Sequence, residues 1–226
     1  MTKFTKLAAA VTLAAGLVAG SAAQAADPQR LLDDATATAS HMKTDPAFEP
    51  ARDSFHHAKA VLIIPNLVKG GFIFGAEGGD GVLISREAKG WLGWGSPAFY
   101  GLGSASFGLQ AGLEKAEIVA LIMSDRALDG IRQGDVKLGV AGGLTVVTVG
   151  AGAEAATPAN LAGDVIVWTS AKGLYGGLTL NGSVLKPMRD WNDQYYGDHP
   201  SLQEILKGKV KNKNAAAFKK EIASIK

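Results

Sequence analysis

The sequence predicts an α+β fold: a largely antiparallel, curved sheet, barrel-like or sandwich, flanked by N-terminal and C-terminal helices. Three observations predict it. Helical periodicity is concentrated at the two chain ends, continuous or glycine-interleaved apolar runs fill the middle, and the turns between those runs are short. Regular alternation of strands with helices, which builds parallel sheets, is lacking. We therefore expect one domain in which helices cover a mostly antiparallel sheet.

The first 25 residues have the pattern of a secretory signal peptide. Lys3 and Lys6 precede an apolar run at 7–19, and Ala23-Gln24-Ala25 provides a small-x-small cleavage site. The run is short for a membrane span. The sequence predicts an exported protein, periplasmic or secreted, whose residues 26–226 form a single domain.

Membrane contact of such a mature chain would be noncovalent. The 226 residues include no cysteine, so disulfides and a lipidated cysteine are both excluded. The remaining 201 residues are enough for a core without disulfides.

Capping signals predict three helices before the C-terminal third. Asp27-Pro28 begins an apolar stripe that runs through Met42, and Asp45-Pro46 begins a shorter helix that ends near Lys59. Ser124-Asp125 caps a third helix over 126–132, which Gly134 closes.

Apolar runs predict the strands. Val61 to Ile64 is a continuous run that ends at Pro65, and 72–74 and 82–84 flank a glycine-rich turn at 78–81, as in an antiparallel hairpin. Further strands are predicted at 91–94, 99–112, 118–123, 136–152 and 165–170.

The stretch 171–197 is the least generic part of the chain. Glycines interrupt its apolar residues, and Asn181-Gly182 predicts a type I′ hairpin turn because both central positions of that turn need positive φ. After Pro187 the spacing becomes helical, with Trp191, Tyr195 and Tyr196 among polar residues.

Charge is unevenly distributed. Without Lys3 and Lys6 the chain carries 21 basic and 21 acidic residues, yet the stretch from Glu204 to Lys226 has a net charge of +5. We predict a basic C-terminal helix over about 204–226. Such a segment seeks anionic lipid, nucleic acid or the acidic body of the protein, or is simply a solvated helix.

No catalytic pattern stands out. Glycines near 101–108 lack the spacing of a phosphate-binding loop, and the serines among them lie in no nucleophile elbow. The four histidines have no partner at metal-ligand spacing. We expect a non-enzymatic binding module without metal or cofactor.

Several segments together resemble one family. They are VLIIP and VKGGF after Ala58-Lys59, GGDGVLISR, GLGSASFGLQAG, VKLGV, and AKGLYGGLTLNGSVL with WNDQYYG downstream. In this order and spacing they are similar to the Ysc84/SYLF domain family, from about Leu31 to Leu206. The resemblance implies binding of phospholipid headgroups without enzymatic activity or cofactor. Eukaryotic members carry a basic amphipathic helix before the domain, where this chain has a signal peptide followed by an acidic helix.

We therefore expect an anionic phospholipid or membrane surface as the partner, and neither nucleic acid nor actin, since an exported protein would not meet actin. The alternative is a cell-envelope structural or protein-interaction module without a lipid ligand. The candidate lipid contacts combine positive charge with amphipathic rings. They are Lys172, Lys186, Arg189, Trp191, Tyr195, Tyr196, Lys207, Lys209, Lys211 and Lys213.

Signal-peptide cleavage is directly testable. Expressed with its own N-terminus in a secreting host, the chain should be recovered beginning at Ala26, as measured by intact mass. Ala25→Arg should block processing, because the cleavage site needs a small residue there. Recovery of the wild-type chain with residues 1–25 attached would contradict the prediction.

Overall fold

The computed structural model describes residues 27–71, 74–107, 112–149, 163–169 and 180–225. The predicted signal peptide and the glycine-rich residues 171–179 lie outside this part. The described helices are α1 Pro28–Thr44, α2 Glu49–Phe55, α3 Asp125–Gln133, α4 Arg189–Tyr196, α5 Leu202–Leu206 and α6 Ala216–Ala223, with 3₁₀ turns at Pro46–Phe48 and Lys213–Ala215. Within these ranges, every helix is too short or too polar to cross a bilayer.

The strands form one sheet that curls into a half-barrel. They are β1 Ala60–Gly71, β2 Phe74–Trp91, β3 Ala98–Phe107, β4 Gly112–Ile122, β5 Val136–Lys137, β6 Val146–Val149, β7 Val165–Thr169 and β8 Val184–Pro187. Their order across the sheet is β5-β8-β3-β2-β1-β4-β7-β6. The pairs are antiparallel except for β6 with β7. The predicted α+β fold with a largely antiparallel, curved sheet is confirmed.

Both faces of the sheet are buried. Because neighbouring residues of a strand point to opposite faces, Leu62 and Ile64 enter one apolar cluster while Val61 and Ile63 enter the other. Helices α3 and α5 cover the first face, and α1, α2 and α6 cover the second. The continuous apolar run of β1 follows from this double cover.

The predicted turn at 78–81 is wrong. These glycines lie inside β2, which pairs without interruption with β3 from Phe74 to Leu83. Across the sheet, the register of β1 against β2 shifts between Ile63 and Val68. A β-carbon at Gly79 or Gly81 would lie 2.8 Å from the side chain of Ile64. The glycines allow a close approach at this irregularity rather than a reversal of the chain.

The predicted strand over 91–94 is also wrong. Trp91 ends β2, and Leu92 and Gly93 form a turn with φ of 58° and 78°. Trp94 then pairs only in an isolated bridge with Arg86. Because Arg86 pairs with Trp94 and the N–H of Glu87 donates to the carbonyl of Gly93, the chain reverses between Glu87 and Gly93, and Leu92 lies at the end of this reversal.

The turn at Asn181-Gly182 differs from the predicted type I′. The N–H of Ser183 donates to the carbonyl of Leu180, and Gly182 has φ of 85°, whereas Asn181 is not among the positive-φ residues. One positive φ at the third position is the pattern of a type II turn.

Residues 204–226 differ from the predicted single helix. Helix α5 ends at Leu206, helix α6 begins at Ala216, and a non-helical stretch joins them. Since α5 and α6 cover opposite faces, this stretch crosses from one face of the sheet to the other. We call residues 207–213 the basic crossing segment.

A buried carboxylate joins α3 to the β6–β7 edge. Asp164 accepts hydrogen bonds from the hydroxyls of Ser124 and Thr145, at 2.6 Å and 2.8 Å, and from the backbone N–H of Thr145. Arg126 forms an ion pair with it. Burial by itself would raise the pKa of Asp164, but these hydrogen bonds together hold it well below its usual range.

This network predicts a pH-dependent stability. An aspartate has a pKa of about 3.9 when unfolded, so the contribution of Asp164 is complete above that pH and is lost as pH falls through the lower folded pKa. Asp164→Asn should lower the free energy of unfolding by about 2 kcal/mol at pH 7. The deficit should shrink below about pH 4.

Urea unfolding at pH 7, 5, 4 and 3 measures this deficit. Asp53→Asn, at an exposed position of α2, should change the free energy of unfolding by less than about 0.5 kcal/mol at each pH. A deficit for Asp164→Asn that stayed constant or widened between pH 5 and pH 3 would contradict the prediction.

Candidate functional site

The basic crossing segment begins at a tight contact between α5 and the β2–β3 connection. The carbonyl of Leu206 accepts a hydrogen bond from the hydroxyl of Ser85 at 2.7 Å, and the N–H of Ser96 donates to the carbonyl of Ile205. A β-carbon at Gly95 would lie 1.8 Å from the carbonyl oxygen of Leu206. Only glycine fits there, so the start of the crossing segment is fixed by backbone contact.

Every second residue of the segment contacts the fold. Gly208 packs on Gly95, with 3.3 Å between an added β-carbon and the Cα of Gly95. The carbonyl of Val210 accepts a 2.6 Å hydrogen bond from Ser96, and its side chain packs on the core. The side chain of Asn212 donates to the carbonyl of Tyr195 at 2.7 Å.

The residues between these three contacts are the lysines. All four point away from the fold and are exposed: Lys207, Lys209, Lys211 and Lys213. The backbone here is not regularly extended: Lys207 has ψ near 0°, Gly208 has φ of 69°, and Lys213 begins a 3₁₀ turn. The three anchored residues fix the backbone between the four exposed lysines.

These ammonium groups are not neutralised by neighbouring carboxylates. In the described part of the chain, none of the four lysines lies within ion-pair distance of an aspartate or glutamate. The acidic residue that precedes the segment in the sequence is Glu204. Hydrogen bonds from the side chain and N–H of Ser201 lower its pKa, and Lys209 adds a smaller electrostatic effect. The segment thus presents a local excess of positive charge.

Helix α4 brings the predicted aromatic residues beside this segment, but their rings pack inward. Trp191 and Tyr195 contact Phe99 edge-on, with ring centroids 6.2 Å and 5.1 Å apart. The hydroxyl of Tyr196 donates to the carbonyl of Pro97 at 2.6 Å. Burial raises the pKa of both tyrosines. The three rings are half-buried and support the sheet end on which the lysines stand.

Asn192 fixes the position of α4. It is 2% exposed, and its amide exchanges two hydrogen bonds with the backbone of Phe99, at 2.9 Å and 3.0 Å. Its NH₂ also donates to the carbonyl of Met188. A buried amide with this set of partners holds the helix against β3. The residues 189–196 are therefore a rigid support for the crossing segment.

The remaining predicted contacts lie apart or outside the described residues. Lys186 projects from β8 and approaches Asp135 at 3.6 Å, and Arg189 is exposed at the first turn of α4. Lys172 lies outside the described residues. Of the predicted contacts, the structure thus places the residues of α4 beside the segment that carries the four lysines, through the hydrogen bond from Asn212 to Tyr195.

Sequence reasoning missed the geometry of the lysines and the turn at Leu92. Gly208, which has φ of 69° just after α5, and Asn212, which caps the 3₁₀ turn, were signals that one helix does not run through 207–213, and the prediction overlooked them. For Leu92 no signal existed, because leucine is not a residue that marks turns with positive φ.

Sites for metal or acid–base chemistry are not evident in the parts of the chain that the structure describes. There, no three His, Asp or Glu side chains are grouped so that they could hold a metal ion. His41 pairs with Glu117 at 2.9 Å, and His199 pairs with Asp193. The arrangement that stands out is an electrostatic surface, formed by the basic crossing segment.

Comparisons with known proteins agree with the sequence resemblance. The chain is 32% identical over 162 residues to Protein YSC84 of Saccharomyces cerevisiae, which covers 70% of this chain and 34% of that protein. It is 29% identical to LAS seventeen-binding protein 3 of the same yeast, over 70% of this chain and 35% of that protein. It is 28% identical to human SH3 domain-containing YSC84-like protein 1, over 65% of this chain and 43% of that protein.

The chain thus spans about a third of the yeast relatives and less than half of the human one. A family model, Ysc84, described as Las17-binding protein actin regulator, matches residues 103–225, more than half of the chain. That range includes the second half of β3, all of α4 and the whole basic crossing segment. The chain belongs to the Ysc84 family.

Proposed function

We propose that this protein is an exported, non-enzymatic domain that binds anionic phospholipid headgroups at a membrane surface through its basic crossing segment. One observation carries the proposal. Lys207, Lys209, Lys211 and Lys213 are exposed and lack carboxylate partners among the described residues, while the residues between them are fixed to the fold.

The electrostatics favour a lipid surface. Each lysine close to an anionic leaflet contributes about 1 kcal/mol of attraction, so four exposed lysines on one short segment are sufficient for measurable binding. The attraction extends over one Debye length, about 8 Å at physiological salt. Lysine is a compact point charge that does not select one headgroup geometry. We therefore expect recognition of surface charge rather than of one lipid.

Anchoring of the segment also favours binding. A disordered basic tail loses backbone freedom when it lies down on a membrane, whereas a segment already held at Gly208, Val210 and Asn212 loses little. Its lysine side chains still lose freedom. Folding has thus already removed part of the backbone entropy that a disordered segment would lose on binding.

The distribution of acids gives the molecule an orientation. A groove between α1 and β2 is lined by three carboxylates, from Asp27, Asp34 and Asp80, and by the guanidinium of Arg30. Asp80 lies five residues before Ser85, the residue of β2 that contacts the start of the crossing segment. An anionic surface would repel the groove and attract the crossing segment, so the lysine-bearing sheet end should face the membrane.

We do not extend an actin or Las17 role to this chain. Those words describe the family model and the names of longer relatives. The proposed export would keep the protein apart from actin. The alternative, an envelope module that binds another protein, is an outcome of the experiment below.

Flotation of residues 26–226 with liposomes tests the proposal. Recovery should rise with the fraction of anionic lipid and fall with added salt. Lys209→Gln with Lys211→Gln should weaken binding about 30-fold at low salt, from the loss of about 2 kcal/mol of attraction.

The matched control is Lys115→Gln with Lys137→Gln. It removes the same charge at two exposed positions away from the crossing segment and should leave binding within about twofold. Both double variants should unfold at the wild-type urea midpoint. Equal recovery with neutral and anionic vesicles would overturn the proposal. A stoichiometric protein partner with no liposome binding would favour the envelope module.

A further inference from the structure

The turn between β2 and β3 exposes an apolar side chain in an unfavourable backbone conformation. Leu92 is 49% exposed and has φ of 58°. Gly93 follows with φ of 78°. Two successive positive φ values are adopted most easily by Asn-Gly or Gly-Gly. Leucine is disfavoured there both by its β-carbon and by its contact with water.

Local packing does not explain the leucine. With nearly half its surface exposed, Leu92 is not among the residues of either apolar cluster among the described positions. A β-carbon added to the adjacent Gly93 would meet nothing within 4 Å, so the turn projects into open space. A bulky residue held at positive φ without packing is a feature that points to function.

Leu92 lies at the same sheet end as the basic crossing segment. It precedes Gly95 by three residues, a reach of at most about 11 Å. Gly95 contacts Gly208 directly, and Lys207 and Lys209 are the immediate neighbours of Gly208. The leucine and the first two lysines therefore lie within the footprint of one membrane contact.

Two ion pairs lie near this sheet end. Glu87, whose N–H donates to the carbonyl of Gly93, pairs with Arg132 at 2.5 Å. Lys59, at the start of β1, pairs with Asp125 at 3.0 Å. Arg86, which bridges to Trp94, stacks over the rings of Phe55 and Trp94 and adds a further positive charge to that of the four lysines. A bilayer with an anionic surface and an apolar interior complements lysines beside a projecting leucine.

We propose that Leu92 inserts into the bilayer below the headgroups while the basic crossing segment holds the anionic lipids around it. This inference rests on the proposed function and adds the element that enters the membrane. The lysines supply a salt-sensitive attraction. The leucine supplies a contribution from buried apolar surface that salt does not screen.

Leu92→Asn separates this role from a structural one. Asparagine suits positive φ, so the variant should unfold at the same urea concentration as wild type or a higher one. Its affinity for anionic vesicles should fall about fivefold at both low and high salt. The reason is that the variant loses only the contribution of buried apolar surface, which salt does not screen. Leu92→Phe should restore or exceed wild-type affinity.

A fluorescent probe locates the inserted residue. The chain has no cysteine, so Leu92→Cys gives a single thiol for an environment-sensitive dye. Emission should shift to the blue on addition of anionic vesicles and not of neutral ones. Ser40→Cys, at an exposed position of α1, is the matched control and should show no shift.

The outcomes are distinguishable. If wild type floats with anionic vesicles but Leu92→Asn binds equally well and the dye at position 92 does not shift, the insertion of Leu92 is overturned and the lysine surface stands. If wild type does not float, both proposals fail. Lower stability of Leu92→Asn together with unchanged dye emission would assign the leucine a structural role and overturn the inference.

Discussion

The rest of the structure depends on one constraint: both faces of the sheet are apolar, so both must be covered by helices. The chain ends with α5 on one face and α6 on the other, and it must therefore pass around the end of the sheet. It passes at Gly95, where the carbonyl of Leu206 occupies the space of a β-carbon. The close backbone contact fixes where the crossing begins.

This path explains why lysines are compatible with such close packing. A glycine, a valine and an asparagine at alternate positions each make a specific contact with the fold. The lysines between them need only remain solvated. A helix over the same residues would place these three contacts on different sides of its axis, because residues two apart do not share a helix face.

The sequence was most informative where local signals and tertiary packing agree. Ser124 caps α3 and Gly134 ends it, as predicted, because cap chemistry is local. The glycines at 78–81 led to a wrong prediction, because glycines suit both a turn and a close approach between strands. Only the register shift between β1 and β2 shows that they serve a close approach here. The crossing segment and Leu92 could not be placed together from sequence. Their proximity depends on Gly95 and Gly208, which are 113 residues apart.

The total charge of the C-terminal stretch overstates what a membrane meets. Lys219 is 8% exposed and donates to the carbonyl of Trp94 at 3.0 Å, and burial, with a smaller effect of Lys211, lowers its pKa. Lys43 of α1 pairs with Glu221, so that acid is already compensated within the fold. One basic residue thus helps to dock α6, and one acidic residue helps to hold it against α1. Among the described residues of this stretch, the charge available to an anionic surface is therefore that of the four lysines of the crossing and of the exposed Lys220, because Lys219 is used to dock α6.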